Sequence, residues 1–235
     1  MIYGLILSAG NQTRFKSDKP KSLLDVSSER TLLDVNMSNM EQVCDKVYVV
    51  CSTANECWFK TPHKIVIESG KGCGDAVMKA LQLLPLTSQD MVFIQWGDSV
   101  QEACLYITLH VAYKGRFLIP CQKEISPYVC IVPEGETVRA HFTKYGEVVS
   151  LGYHDLSLFY GNALELRERL MQFHHTIDNN GTYTHKHGNE MQFLDVFNET
   201  DMPAEIYEVQ NYKGFSFNTK KEFETGVNKL NYSIL

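Results

Sequence analysis

The sequence predicts an α/β protein with three layers, in which helices cover both faces of a mixed central sheet whose strands run predominantly parallel. In the first half of the chain, short apolar runs rich in valine, isoleucine and aromatic residues alternate with helical patterns. Such runs are typical of strands covered on both faces, and this alternation is typical of a parallel sheet. After Gly115 the apolar runs follow one another more closely, with turn residues between them.

Four apolar runs of the first half are predicted strands, and the two segments between them with helical periodicity are predicted helices. The segment RTLLDVNMSNM places Leu33, Met37 and Met40 at i, i+4 and i+7, and GDAVMKALQLL repeats this spacing. Residues at these spacings lie on one face of a helix, which can pack against a sheet. The predicted strands are IYGLIL (2–7), KVYVVC (46–51), KIVIE (64–68) and MVFIQW (91–96).

The second half is predicted to contain five more strands and three more helices. The last helix, over 219–230, follows Asn218 and Thr219, which are residue types that favour a helix N-cap. No linker or repeat interrupts the chain, so we expect a single domain over 1–235 with two halves, at about 1–110 and 111–235. The other predicted helices are 163–173 and 189–199, and the predicted strands are RFLIPC, YVCIVP, TVRAHFT, LSLFYG and AEIYEV.

The composition limits the class of protein. An apolar content of 44% and a charged content of 21% are ordinary for a soluble globular protein. The net charge of −6 offers no global positive field for nucleic acid. No apolar run approaches the roughly 20 residues that a membrane span needs. The 7 cysteines form no CxxC pair and follow no secretory leader, so we expect free thiols in a cytoplasmic protein.

The segment LSAGNQTRFKSDKPKSL (7–23) combines small residues with positive charge directly after the first predicted strand. Ligands of open α/β sheets bind beyond the carboxyl ends of strands, and small residues let backbone N–H groups approach an anion. Arg14 and Lys21 add positive charge, and Pro20 stiffens the chain before Lys21. The segment predicts a triphosphate-binding loop, although it lacks the GxxxxGK[ST] pattern of a Walker A loop. A solvated surface loop is the alternative.

This segment resembles the LxAGxGTRxxxxxPKxL signature of the sugar-nucleotide pyrophosphorylase family, which are nucleotidyltransferases. Further along, GKGCGDAVMKA resembles the GTGxAxxxA segment of the family, IQWGDS its GD segment and GFSFNTKKEF its GxNTxxxL segment. The order of these segments agrees over nearly the whole chain. The pattern resembles two kinds of enzyme in the family: the uridylyltransferase domain that makes UDP-N-acetylglucosamine, and the cytidylyltransferases that act on small phosphates. The resemblance implies a Rossmann-like, GT-A-like nucleotidyltransferase fold, with a nucleotide-binding half (1–110) and an acceptor-binding half (111–235).

The resemblance also implies roles for individual residues. Lys21 and Arg14 would be catalytic and meet phosphate charge, and Asp98 and Asn218 would hold Mg²⁺, or Mn²⁺ in its place, because hard cations suit oxygen ligands. The alternative for Asp98 and for Asn218 is an N-cap of the following helix. The implied nucleotide contacts are Leu7, Ser8, Ala9, Gly10, Gly72, Cys73, Gly74 and Asp75.

The implied reaction is nucleotidyl transfer, in which a phosphorylated acceptor attacks the α-phosphorus of a pyrimidine nucleoside triphosphate and pyrophosphate leaves. CTP is slightly favoured over UTP, because Ile67 falls where the uridylyltransferase has the glutamine that reads uracil. Asp75 could instead accept a hydrogen bond from the exocyclic amine of cytosine. The acceptor could be a sugar 1-phosphate, phosphocholine or a phosphorylated amino acid, and the product would supply surface polysaccharide.

Candidates for acceptor binding lie in the second half. Arg139 and His141 share one face of a predicted strand, and with Lys144 and Asp155 they could bind the acceptor. The alternative is the polar face of an ordinary strand. The HKH triplet at 185–187 has a spacing that suits a metal, but the asparagines and glycines around it favour an ordinary loop.

Two other classes of function share parts of this pattern. A GT-A glycosyltransferase uses a similar sheet but usually needs a DxD pair, whereas WGDSV offers one aspartate. A non-catalytic nucleotide-binding regulator could keep the fold, although the presence of Lys21, Asp98 and Asn218 argues against it. Whether the chain forms a homodimer is left open.

Overall fold

The computed structural model describes residues 1–10, 15, 19–68, 70–147 and 149–234, with the backbone alone over 230–234. The predicted cation Arg14 lies outside the described residues. The helices are α1 (Leu32–Met40), α2 (Cys73–Gln82), α3 (Ala103–Ala112), α4 (Ala163–Ile177), α5 (Asp195–Glu199) and α6 (Lys220–Ile234). The strands are β1 (Ile2–Leu7), β2 (Lys46–Ser52), β3 (Lys64–Ile67), β4 (Met91–Trp96), β5 (Ser99–Val100), β6 (Phe117–Ile125), β7 (Val129–Glu134), β8 (Thr137–Phe142), β9 (Leu151–Asp155), β10 (Leu158–Asn162), β11 (Asp178–Asn179), β12 (Thr182–Tyr183), β13 (Ala204–Glu208) and β14 (Phe215–Ser216).

A 10-stranded sheet forms the centre of the molecule, in the order β3-β2-β1-β4-β10-β6-β9-β7-β8, with β13 paired to β6. Strand β1 pairs in parallel with β2 and β4, β2 pairs in parallel with β3, and β13 pairs in parallel with β6. The remaining pairs are antiparallel. Strands β1–β4, β6, β7 and β13 therefore run in one direction and β8–β10 in the other, which confirms the predicted mixed, predominantly parallel sheet.

Helices cover both faces of this sheet. On one face, α2 and α4 bury Val77, Leu81 and Leu170 against the strands. On the other face, α1 and α3 bury side chains that include Leu33 and Leu109. The periodic apolar residues of the predicted helices thus point into two cores, and the predicted three layers are confirmed. Among the described helices, none is long and apolar enough to cross a membrane.

The predicted helix over 189–199 is wrong in its first part. Only α5 (Asp195–Glu199) is helical, because the chain before it runs as a loop that forms backbone hydrogen bonds with the glycine-rich segment before α2. The N–H of Met191 donates to the carbonyl of Lys71 at 2.8 Å, and its carbonyl accepts from Gly74 at 2.9 Å. Strand β9 and the short ribbons β5–β14 and β11–β12 also lie outside the predicted elements.

Candidate active site

The candidate site lies at the edge of the sheet where β1 and β4 end side by side. Leu7 is in register with Trp96, and the N–H of Gly97 donates to the carbonyl of Leu7 at 2.8 Å. A Cβ on Gly97 would lie 2.5 Å from that carbonyl oxygen, so only glycine permits this close approach. The contact holds the loop after β1 beside Asp98.

A cavity of about 520 Å³ opens at this edge. Its walls are the loop after β1, the 3₁₀ turn Lys21–Leu23, the glycine-rich segment that begins α2, and the ends of β4 and β14. Residues with predicted roles that line it are Leu7, Ser8, Ala9, Gly10, Lys21, Gly72, Cys73, Asp98 and Asn218. The structure therefore gathers residues from all four motifs into one cavity.

Lys21 and Asp98 form an ion pair in this cavity. The Nζ of Lys21 lies 2.9 Å from Oδ2 of Asp98 and donates to the carbonyl of Phe217 at 3.2 Å. The β5–β14 ribbon aligns the two segments, and the N–H of Phe217 donates to the carbonyl of Asp98 at 3.1 Å. This pairing brings Asn218 to the same cavity wall as Asp98, although 120 residues separate them in the chain.

The N-cap of α6, which was the predicted alternative role for Asn218, is the neighbouring Thr219 instead. The hydroxyl of Thr219 accepts from the N–H of Glu222 at 3.3 Å, and the carboxylate of Glu222 accepts from the N–H groups of Thr219 and Asn218. This is a capping box with Thr219 as the N-cap. Asp98 does not cap α3 either, since the N-cap position of that helix is Glu102.

The glycine-rich segment places the N-terminus of α2 at the cavity. Gly72 has a φ of +106° and precedes Cys73 at the start of α2, and both line the cavity. A Cβ on Gly72 would lie 2.5 Å from the carbonyl oxygen of Met191, so both its φ and its surroundings require glycine. The N-terminal end of a helix carries partial positive charge and favours anionic ligands.

Cys73 contributes packing rather than a reactive thiol. Burial raises the pKa of the Cys73 thiol to about 11, although hydrogen bonds from backbone N–H groups, that of Phe193 foremost, oppose the rise. The N–H of Phe193 lies 3.2 Å from the sulfur. Because the thiolate is the nucleophilic form of cysteine, this side chain is inert near neutral pH.

The structure places Asp75, the predicted reader of the base, away from the cavity lining. Asp75 is fully buried inside the first turn of α2 and lies outside the cavity lining. Its Oδ1 accepts from the hydroxyl of Tyr183 at 2.6 Å, and its Oδ2 accepts from the N–H of Lys71 at 2.9 Å and pairs with Lys79 at 2.8 Å. Both oxygens are therefore engaged within the protein. Burial alone would raise the pKa of this carboxyl, but the hydrogen bonds from Lys79, Tyr183 and Lys71 outweigh it and hold the pKa below its usual range.

Five predicted contacts, all within the described part of the chain, lie away from the cavity lining: Gly74, Arg139, His141, Lys144 and Asp155. The N–H of Gly74 is bonded to Met191 instead. Arg139 donates to Glu134 at 2.7 Å on the exposed side of β8. Burial raises the pKa of Asp155, which is 6% exposed at the end of β9. The acceptor roles of these side chains remain predictions.

Some lining residues were not predicted: Ser22, Gly70, Ala76, Trp96, Gly97 and Glu190. Ser22 and Gly97 directly adjoin the predicted Lys21 and Asp98, and Trp96 precedes Gly97, so their place in the motifs could have indicated them. Glu190 arrives on the loop before α5, and no sequence pattern marks it. Ser22 also fixes the loop after β1, because its hydroxyl lies 2.9 Å from that of Ser8.

A cavity at the carboxyl edge of the sheet, with a lysine–aspartate pair and a glycine-lined helix N-terminus, is typical of sites that bind nucleotide phosphates. Residues 4–143 match the MobA-like NTP transferase domain family. The match covers more than half of the chain, so the protein belongs to this family and is a nucleotidyltransferase, which confirms the resemblance seen in the motifs. No sequence among the curated proteins matches the chain.

Solved structures share the fold over almost the whole chain. HddC from Yersinia pseudotuberculosis, complexed with GMP-PN, has a TM-score of 0.68 at 15% identity, and the match covers 98% of this chain and 100% of that one. The inositol-1-phosphate CTP transferase from T. maritima has a TM-score of 0.70 at 12% identity, with 97% and 96% covered. The 2-C-methyl-D-erythritol 4-phosphate cytidylyltransferase (IspD) from Francisella tularensis has a TM-score of 0.60 at 15% identity, with 97% and 99% covered. These similarities confirm the predicted nucleotidyltransferase fold.

Proposed function

We propose that the protein transfers the nucleoside monophosphate of a pyrimidine nucleoside triphosphate, CTP in preference to UTP, to a small phosphorylated acceptor and releases pyrophosphate. One observation carries this proposal. A single cavity holds the Nζ of Lys21 at 2.9 Å from Asp98, with Asn218 and the glycine-lined start of α2 in the same lining. Cations, hard oxygen donors and a helix N-terminus are the groups that a triphosphate requires.

The chemistry needs positioning and charge cancellation more than proton transfer. An acceptor phosphate is mostly dianionic at neutral pH, because its second pKa is about 6, so it can attack without a general base. Lys21 meets the negative charge that develops around the α-phosphorus. The backbone amides of Ala9 and Gly10, which line the cavity, bind the outgoing pyrophosphate, and Arg14 is the second cation predicted for this task.

Asp98 and Asn218 suit a magnesium ion. A carboxylate and a side-chain amide both offer hard oxygen ligands, and both residues line the cavity that Lys21 shares. We propose that they hold Mg²⁺, or Mn²⁺ in its place, which would cancel phosphate charge during transfer. The ion pair with Lys21 keeps the Asp98 carboxylate at the cavity and compensates its charge when no nucleotide is bound.

The base preference rests on what surrounds the glycine-rich segment. Ile67 is 3% exposed and packs in the core, so this position cannot read a base edge as a glutamine would. Gly70, Gly72 and Cys73 offer backbone groups instead. Two of the structures that share the fold are a CTP transferase and a cytidylyltransferase, which supports CTP.

The acceptor is proposed to be a sugar 1-phosphate or a comparable small phosphate, such as phosphocholine or a phosphorylated amino acid. The similar structures include enzymes named for inositol-1-phosphate and for 2-C-methyl-D-erythritol 4-phosphate, which supports a phosphorylated polyol or sugar. Arg139, His141, Lys144 and Asp155 stay the acceptor residues proposed from the sequence, although none of them lines the cavity. The product would serve as an activated precursor of surface polysaccharide.

A matrix of the four NTPs against phosphorylated acceptors, with pyrophosphate detection, tests this proposal. We expect pyrophosphate release only when both substrates are present, and a kcat/KM for CTP at least about tenfold above that for UTP. A preference for UTP or a purine nucleotide would contradict the base assignment alone. Transfer from a nucleotide-sugar without pyrophosphate would contradict nucleotidyl transfer and indicate the glycosyltransferase alternative.

A further inference from the structure

A second cluster of polar side chains lies outside the cavity, on the turn before the Met191 loop. His185 and His187 flank a tight turn in which Gly188 has a φ of +97° and His185 forms a β-bridge with Gly188. The turn directs both imidazoles toward Asp195, the first residue of α5. The sequence shows the HKH spacing, but it does not show that a buried carboxylate faces both rings.

Three potential ligand atoms of this cluster converge. Nδ1 of His187 lies 2.9 Å from Oδ2 of Asp195, and Nδ1 of His185 lies 3.4 Å from the same oxygen. One ligand atom from each residue can be chosen so that all three lie within 4.8 Å of one another. Neighbouring ligands of a tetrahedral zinc ion with bonds of about 2.0–2.2 Å lie roughly 3.3–3.6 Å apart. The 2.9 and 3.4 Å separations bracket the lower end of this range, so small shifts of the side chains would form a zinc site.

The outer nitrogens of both rings face other carboxylates. Nε2 of His185 lies 3.3 Å from Oε1 of Glu199, and Nε2 of His187 lies 3.5 Å from Oε1 of Glu147. Histidines that bind a metal usually donate their other N–H to a carboxylate, which orients the ring and increases its basicity. Each of the two rings has such a partner.

A metal at His185 would replace one long hydrogen bond. The backbone N–H of His187 donates to Nδ1 of His185 at 3.3 Å, and this nitrogen has a single lone pair. Nδ1 also lies 3.4 Å from Oδ2 of Asp195, so the same lone pair is placed to bind a metal next to that carboxylate. In that state the one N–H of the neutral ring lies at Nε2 and faces Glu199.

Burial creates a need for positive charge beside Asp195. His187 is 2% exposed and Asp195 is fully buried, and the ring of Tyr145 stacks on His187 at a centroid distance of 4.8 Å. Nδ1 of His187 lies 2.9 Å from both carboxylate oxygens of Asp195, and the amide of Asn198 donates to Oδ1 at 3.0 Å. A buried carboxylate is costly without a compensating positive charge.

We propose that His185, His187 and Asp195 form a structural site for a divalent transition metal of the Zn²⁺ type. Two imidazole nitrogens and one carboxylate suit Zn²⁺ better than Mg²⁺, so this site is chemically distinct from Asp98 and Asn218. The metal would fix the turn that leads into the loop whose Met191 backbone pairs with Lys71 and Gly74. It would thereby stabilise one wall of the cavity without contacting the nucleotide.

Thermal unfolding with Zn²⁺ alone tests the site. The full chain is stripped with a chelator, the chelator is removed, and the melting temperature is measured with Zn²⁺ and, separately, with Mg²⁺. At about 100 times the Kd we expect Zn²⁺ to raise Tm by roughly 5–10 °C and Mg²⁺ to have little effect. Calorimetric titration should give one zinc per chain, and Co²⁺ should produce the visible absorption bands of a site with low coordination number.

Variants identify the ligands. His185→Gln and His187→Gln keep an amide that can donate toward Glu199 or Glu147 but remove Nδ1, so the Zn²⁺-dependent rise in Tm should be lost. His175→Gln, at an exposed histidine on α4, is the matched control and should keep the rise. Each variant is compared with its own metal-free Tm, so a general loss of stability is not mistaken for loss of the metal. Asp195→Asn, which keeps the side-chain shape, serves if a glutamine variant does not fold.

Three results would overturn the proposal. The first is a wild-type Tm that does not respond to Zn²⁺. The second is a full Zn²⁺ response in both glutamine variants. The third is a metal-free Tm that depends steeply on pH between about 5 and 8 while Zn²⁺ has no effect, since the positive charge would then come from protonated imidazoles.

Discussion

The two halves of the central sheet place their polar residues in different ways. In the half proposed to bind the nucleotide (1–110), β1 and β4 are parallel neighbours, so their carboxyl ends meet and Gly97 bonds to Leu7. In the half proposed to bind the acceptor (111–235), β8, β9 and β10 run against their neighbours, so the residues that follow successive strands alternate between opposite edges. The parallel half collects its motifs at one cavity, whereas the antiparallel half leaves Arg139 and Asp155 apart from it.

The acceptor-binding half reaches the cavity mainly through loops. The hydroxyl of Tyr183 bonds to Asp75, and the backbone of Met191 bonds to Lys71 and Gly74. These contacts hold the glycine-rich segment on the side away from the cavity, whereas Lys21 and Asp98 line the cavity itself. Substitutions in the cavity should therefore cost turnover at unchanged stability, and substitutions at the loop contacts should cost stability first.

The largest effect should follow removal of the magnesium ion. Transfer into buffer without Mg²⁺ should abolish turnover, and Mg²⁺ or Mn²⁺ should restore it, because phosphate charge then lacks its main compensation. Asp98→Asn should raise the Mg²⁺ concentration for half-maximal activity by about tenfold or more, as expected for the loss of a charged ligand. Circular dichroism should show an unchanged fold in both cases. Full turnover without a divalent cation would contradict the role of Asp98 and Asn218.

Replacement of Lys21 should have the next largest effect. We expect Lys21→Ala to lower kcat by about 10²–10³, equivalent to roughly 3–4 kcal/mol, if Lys21 acts like one donor to transition-state charge. Lys19→Ala is the matched control, because Lys19 pairs with Asp25 at 2.9 Å outside the cavity lining. Both variants should melt close to the wild type. A kcat for Lys21→Ala near that of Lys19→Ala would remove Lys21 from the mechanism.

The same difference between the halves explains how much could be predicted from the sequence. Most elements of the nucleotide-binding half, apart from β5 and α3, and most of its cavity residues were predicted, because motifs that follow parallel strands meet at one edge whatever the loop lengths. The buried position of Asp75 could not be predicted, because the sequence does not distinguish a carboxylate that faces a ligand from one buried in the first turn of a helix. Its partner Tyr183 is 108 residues away, and no local pattern joins the two.

The loop before α5 could not be predicted for a related reason. Met191 and Phe193 are apolar and fully buried, so their pattern also fits a helix. What keeps this stretch extended is the hydrogen bonding of Met191 to Lys71 and Gly74, which depends on the tertiary fold. The cluster of His185, His187 and Asp195 could not be predicted for the same reason, because it too forms only in the tertiary fold.

Asp75→Asn should affect stability and leave base choice unchanged. The variant loses the charge that Lys79 compensates, and we expect the free energy of unfolding at pH 7 to fall by about 2–4 kcal/mol. The folded-state pKa of Asp75 is depressed, so its contribution is present above the unfolded pKa of about 3.9 and is lost as the pH falls through the folded pKa. Urea unfolding at several pH values should therefore show the difference from wild type shrinking below about pH 4.

Two further results bear on Asp75. Asp201→Asn, at an exposed aspartate, is the control and should be neutral within about 0.5 kcal/mol. The ratio of kcat/KM for CTP and UTP should be the same in Asp75→Asn as in the wild type. A changed ratio at unchanged stability would restore Asp75 as the base reader and would contradict its buried position.

The smallest effect is expected for Gly72→Ala, which tests the contact between the glycine-rich segment and the Met191 loop. Gly72→Ala adds a methyl group 2.5 Å from the carbonyl oxygen of Met191 at a φ of +106°, so the Met191 loop must move away from α2. We expect a loss of about 1–3 kcal/mol in the free energy of unfolding, together with a higher KM for the nucleotide. Gly115→Ala is the matched control, because Gly115 also has a positive φ of +91°, but a Cβ there would meet no atom within 4 Å and the residue lies outside the cavity lining. If the two alanine variants unfold at the same urea concentration, the Met191 contact does not hold the glycine-rich segment. If only Gly72→Ala loses stability and nucleotide affinity together, the acceptor-binding half supports the nucleotide site through this one loop.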